Sequence, residues 1–104
     1  MSLNDAELQR TRDELAANLA LTGLTLDQVA GDLGYAAQRL RDALAPRGSG
    51  DPADVWLLRD YLEQAVRDAG GEPEPFTVLT EPNRRLARQW FSLQEAPRHD
   101  FAAR

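Results

Sequence analysis

Apolar positions recur at three- and four-residue spacing over most of this chain, a pattern that predicts helices rather than strands. Leu8, Leu15 and Leu19 share one face of a first helix, expected from about Asp5 to Thr22. Asn4 before it can accept from free backbone amides and Glu7 can reciprocate, while Gly23 suits the left-handed position just past the last turn. Thr25 and Gln28 repeat this start signal, with Leu24 placed to pack on Val29. The second helix turns Val29, Ala30 and Leu33 inward and stops at Gly34. A turn from Tyr35 leads to a third helix, expected to reach about Ala45 with Leu40 and Leu44 inward.

Pro46 to Gly50 breaks the pattern, and Asp51 then caps a fourth helix that has Pro52 at its first position and Asp54 where the helix dipole favours negative charge. Val55, Leu58, Leu62 and Val66, with Leu57 and Tyr61 beside them, predict broad burial of this helix up to Gly70 and Gly71. Glu72 to Pro75 alternates acid and proline, which favours an extended connector. Phe76 to Leu79 reads as a short strand, Thr80 to Asn83 as a turn around Pro82, and Gln89 to Leu93 as the partner strand, although Leu86 and Trp90 also have helical spacing. A small hairpin is therefore expected. The polar residues after Gln94 are expected to fray.

The chain of 104 residues can enclose one modest core, and 42% hydrophobic with 28% charged residues is an ordinary globular balance. It has no cysteine, which removes disulfides, thiolate zinc sites and cysteine nucleophiles. With no apolar leader and no run long enough to cross a bilayer, a cytoplasmic protein without a membrane role is expected.

Candidate chemistry is sparse. His99 is the single histidine and has no carboxylate at ligand spacing, so neither a metal site nor acid-base catalysis is expected. Ser2, Ser49 and Ser92 lack any nucleophile-elbow motif, and the Gly48 to Gly50 pattern lacks the preceding strand and the lysine of phosphate-cradling loops. No catalytic residue, cofactor or enzymatic activity is expected. Trp56, Trp90, Phe76 and Tyr61 are expected to be core rather than the lining of a ligand pocket or dimer surface.

The net charge is −5, so the long-range field repels nucleic acid and any binding to it must rest on a local patch. Residues 51–75 hold seven acids against two arginines, residues 24–50 three against three, and residues 76–104 three against five. The basic residues are all arginine. Arg84, Arg85 and Arg88 form the one basic cluster, a candidate grip on phosphates.

The stretch Leu24 to Leu44, LTLDQVAGDLGYAAQRLRDAL, resembles the helix-turn-helix of repressor-like bacterial regulators. Ala30 stands where the two helices cross closely, Gly34 at the turn, and Val29, Leu33 and Leu40 at core positions. It departs at Tyr35 and Ala36, where such regulators often carry a capping hydroxyl. If the second of these helices entered a major groove, Gln38 suits adenine, Arg39 and Arg41 suit guanine or phosphate, and Arg47 suits phosphate. Over nearly its full length the chain is also similar to a bacterial family known as domain of unknown function twenty-three sixteen. That resemblance lies in LTGLTLDQVAGDLG (Leu21 to Gly34), DPADVWLLRDYL (Asp51 to Leu62), PFTVL (Pro75 to Leu79) and the Trp90–Phe91 pair. It implies a helix-turn-helix-like fold with a short C-terminal extension, and no activity.

The expected architecture is mainly α. It is a four-helix, helix-turn-helix-like domain over residues 1–93, with the helix-turn-helix unit at 24–45, a β-hairpin or extended segment at 76–93 and a flexible tail at 94–104. The expected function is a DNA-binding regulator or accessory protein acting as a homodimer on duplex DNA. The alternative is a non-catalytic protein-interaction module that uses the same fold as scaffold.

Overall fold

Residues 3–47 and 51–101 are described by a computed structural model. Among them are five helices, α1 (Asp5–Thr22), α2 (Leu26–Leu33), α3 (Ala37–Leu44), α4 (Pro52–Asp68) and α5 (Glu81–Arg88), and no strand. Ser2, Ser49 and the Gly48 to Gly50 pattern lie outside the described residues.

The cap chemistry acts as its spacing predicts. Asn4 and Glu7 form a reciprocal capping box at the start of α1, and Thr25 and Gln28 form another at α2. Asp51 accepts from the Ala53 amide at 2.9 Å with Pro52 in the first turn of α4. Gly34 takes φ 71°, and the Tyr35 amide returns to the Ala30 carbonyl at 2.9 Å, which closes α2 and turns the chain into α3. Ala36, at the start of α3, supplies no side-chain cap.

α4 runs through the core. Leu58, Tyr61, Leu62, Ala65 and Val66 are all buried, and the first four pack with Leu15 of α1, Val29 of α2 and Leu40 of α3. The inward face of α1 is Leu8, Thr11, Leu15, Asn18 and Thr22, a three- and four-residue rhythm in which three of the five are polar. Thr11 and Thr22 donate to carbonyls of the preceding turn. Asn18 reaches further: its amide donates to the Glu14 and Glu74 carbonyls at 2.9 and 3.1 Å, and its oxygen accepts from the Glu74 amide at 3.0 Å. Burial without loss is possible because each of these groups finds a partner.

That Asn18 anchor explains the first departure from expectation. Phe76 to Leu79 forms no strand; its backbone is tied down by side chains instead of a ladder. Glu14 accepts from the Thr77 amide and hydroxyl at 3.0 and 2.7 Å, Arg59 donates to the Leu79 carbonyl at 3.0 Å, and Asn83 donates to the Val78 carbonyl at 2.6 Å. The second departure follows. The expected turn is replaced by α5, in whose first turn Pro82 sits, where a missing amide hydrogen breaks no helical bond, and Gln89 to Leu93, expected as the partner strand, follow that helix without forming one. The hairpin is absent and the helices number five among the described residues, one more than expected.

The segment expected to fray is held as far as Phe101. Leu93, Ala96 and Phe101 pack against the core. Arg98 donates to both Asp68 oxygens at 3.2 and 2.5 Å, and the His99 ring nitrogen lies 2.6 Å from Asp32. Tyr61 donates to the same Asp32 oxygen at 2.5 Å, so α2, α4 and the tail meet at one carboxylate. Burial, then the hydrogen bond to Asp32, pushes the Tyr61 phenol up from its ordinary value.

Candidate functional site

The residues expected to read DNA lie on or just beyond α3 and are exposed, but three of them are already engaged. Arg39 donates through Nε and Nη2 to the two carboxylate oxygens of Asp54 at 2.9 and 2.8 Å, and its guanidinium lies 4.0 Å from the centre of the Tyr35 ring. Tyr35 donates to Asp54 as well, at 3.2 Å. The hydrogen bond from Arg39 holds the Asp54 carboxyl below the usual range, while burial and the Asp54 charge push the Tyr35 phenol up to about 12. Gln38 donates to Asp42 at 2.8 Å and accepts from Arg41 at 3.1 Å. Arg47 is exposed.

Arg84, Arg85 and Arg88 do not form a patch. Arg84 is buried: it donates to both Asp60 oxygens and to Glu81, and its guanidinium lies 4.9 Å from the centre of the Trp56 ring. Those two carboxylates raise its pKa, the Asp60 hydrogen bonds being the larger cause. Arg85 and Arg88 are exposed. The packing of α5 thus turns one arginine inward and leaves two on the surface, an outcome the bare run of arginines does not signal.

A different feature dominates the surface. A groove of about 510 Å³ runs between the start of α1, the end of α3, the start of α4 and α5. Leu8, Ala43, Pro46, Val55, Val78 and Leu79 line it with Leu86, Ala87, Trp90 and Phe91. Trp90 is 71% exposed and Leu86 41%, so Trp90 is a groove-side aromatic and not the core residue expected, whereas Trp56, Phe76 and Tyr61 are buried. Burial classes of the tryptophans were not separable in sequence because helical spacing to Leu86 gives Trp90 the same pattern as a core position.

The polar lining includes Arg39, Asp42, Asp51, Asp54 and Asn83. Trp56 also lines the groove and is only 5% exposed. Its indole N–H has no hydrogen-bond partner among the described residues, yet it is not sealed from solvent. A mostly apolar cleft of this size with a few polar groups is the usual form of a binding site. Among the described residues no group of three or more His, Cys, Asp or Glu side chains could hold a metal ion, and no helix is long and apolar enough to cross a membrane.

No curated protein and no solved structure matches the chain. The sequence model of one family, described as an uncharacterized protein conserved in bacteria (DUF2316), matches residues 1–92. That match takes in all five helices and every groove-lining residue, and on it the chain belongs to this bacterial family.

Proposed function

We propose that the protein is a non-catalytic interaction module whose working surface is the apolar groove, and that it binds a segment of a protein partner there. The observation that carries this reading is Trp90, a large aromatic 71% exposed on the lip of the groove. Tryptophan is the residue type most enriched among those that dominate binding energy at interfaces, and an open lip suits a protein segment better than an enclosed small molecule. The test is a ¹H–¹⁵N titration with helical peptides that carry one apolar face. Shifts of the two tryptophan indole resonances, with the Trp56 shift lost in Trp90→Ala, support the reading; shifts elsewhere on the surface, or none, reject it.

The second reading is duplex DNA binding by a homodimer, with α2, Gly34 and α3 acting as a helix-turn-helix. It is favoured by the exposure of Gln38, Arg41 and Arg47 within the neutral segment 24–50. Against it stand the net charge of −5 and the commitment of Arg39 to Asp54. Anisotropy with mixed duplex fragments across a salt series decides it: DNA binding through arginines weakens steeply as salt rises and is lost in an Arg41→Ala, Arg47→Ala double variant.

A further inference from the structure

We infer that the occupant of the groove is an amphipathic helix of a partner protein whose apolar face is flanked by arginine or lysine; this rests on the groove being the working surface. The first argument is the backbone. The groove is walled by helices and a side-chain-tied loop, and among the described residues there is no strand. An extended peptide finds no sheet edge to pair with, whereas a helix enters this apolar surface with its backbone hydrogen bonds already made.

The second argument is charge. Of the carboxylates lining the groove, Asp54 is neutralised by Arg39. Asp42 accepts from the neutral Gln38 amide and Asp51 from the Ala53 backbone amide. Among the described residues neither of these two has an ion-pair partner. Arg85 and Arg88, the exposed cations of α5, do not line the groove. Three carboxylates against one arginine beside an apolar floor, on a chain of net charge −5, select a cationic partner and speed its approach.

The third argument removes the chain's own tail as occupant. α4 has 17 residues, about 25 Å of helix. The groove lies at its start, whereas Arg98 is anchored on Asp68, its last residue, and His99 on Asp32.

The test uses the full chain and two synthetic helical peptides of about 18 residues, five turns, identical in apolar face and flanked either by arginine or by glutamate. Binding is read by anisotropy of the labelled peptides and by tryptophan emission. The arginine peptide is expected to bind about tenfold more tightly at low ionic strength, the gap closing as salt is raised. An Asp42→Asn, Asp51→Asn double variant should lose that preference while keeping its fold, because asparagine also caps a helix and also accepts from Gln38; a thermal melt checks the fold. Equal affinity for both peptides overturns the cationic partner and leaves the groove reading standing. Binding of neither peptide to the folded protein overturns both.

Discussion

Arg39 and Asp54 are joined by two hydrogen bonds, from Nε and Nη2 to the two carboxylate oxygens, so a residue of α3 is locked to the start of α4. The pair uses some of the donors that base recognition would need. A guanidinium whose Nε and Nη2 edge already satisfies one carboxylate can offer guanine only its remaining Nη1 and Nη2 donors.

This relationship makes a prediction that separates the two functional readings. If α3 enters a DNA groove, Asp54→Ala frees Arg39 and removes a negative charge, and affinity for duplex DNA at low salt should rise, whereas Arg39→Ala alone should change it little. If the groove is the working surface, neither variant should acquire DNA binding. Anisotropy on the two variants beside the parent protein reads the difference, and a fall in DNA affinity with Asp54→Ala would contradict both expectations.

Trp90 is predicted to be dispensable for the fold. It is largely exposed, and surface substitutions away from special features shift stability by no more than about 0.5 kcal/mol. Trp90→Ala should therefore leave the urea midpoint almost unchanged while removing peptide binding. A large loss of stability would mean that Trp90 is a core element and would withdraw the main support for the groove.

The starts of α1, α2 and α4 and the end of α2 were legible in the sequence because short-range chemistry decides them: Asn4 with Glu7, Thr25 with Gln28, Asp51 with Pro52, and Gly34 at its turn all act within four residues. The family resemblance, carried by pieces such as Leu21 to Gly34, is likewise matched over residues 1–92. What was illegible depends on partners far away in the chain. Asn18 meets Glu74 across 56 residues and Glu14 meets Thr77 across 63, and those contacts replace the hairpin that local alternation predicts. Arg84 was legible only as one of three adjacent arginines, since its partner Asp60 lies 24 residues upstream. The groove itself has no local signature, being assembled from four separate helices and the loop that Asn18 holds.

That loop gives the next prediction. Asn18 is fully buried and satisfies both the amide and the carbonyl of Glu74. Asn18→Ala leaves those backbone groups without their partners, and an unsatisfied buried polar group costs about 1–3 kcal/mol. The urea midpoint should fall accordingly. Amide hydrogen exchange should rise first in residues 74–79, because Val78 and Leu79 of the groove floor sit on this loop. A midpoint equal to the parent's would show that the loop is held by Glu14 and Arg59 alone.

Alkaline stability tests the buried phenols. Burial, then the Asp54 charge, pushes Tyr35 from an ordinary value of 10.0 to about 12, and burial, then Asp32, raises Tyr61 in the same direction. In both cases the folded state keeps its proton where the unfolded chain has lost it. A raised folded value contributes stability that is complete below pH 10 and is lost as pH rises from 10 through the folded value, since the unfolded state binds fewer protons over that interval. The arginines stay charged throughout, so they do not imitate the effect. Urea midpoints should therefore hold steady up to about pH 10 and fall between pH 10 and about 12. Tyr35→Phe and Tyr61→Phe each remove one titrating phenol and should flatten part of that fall, at the expense of one hydrogen bond to Asp54 or Asp32 at neutral pH. The ultraviolet absorbance of tyrosinate gives an independent reading, because both phenols should stay protonated past pH 10.0 while the protein is folded. Ionisation of both near pH 10 in the folded protein would mean that neither ring is held as described.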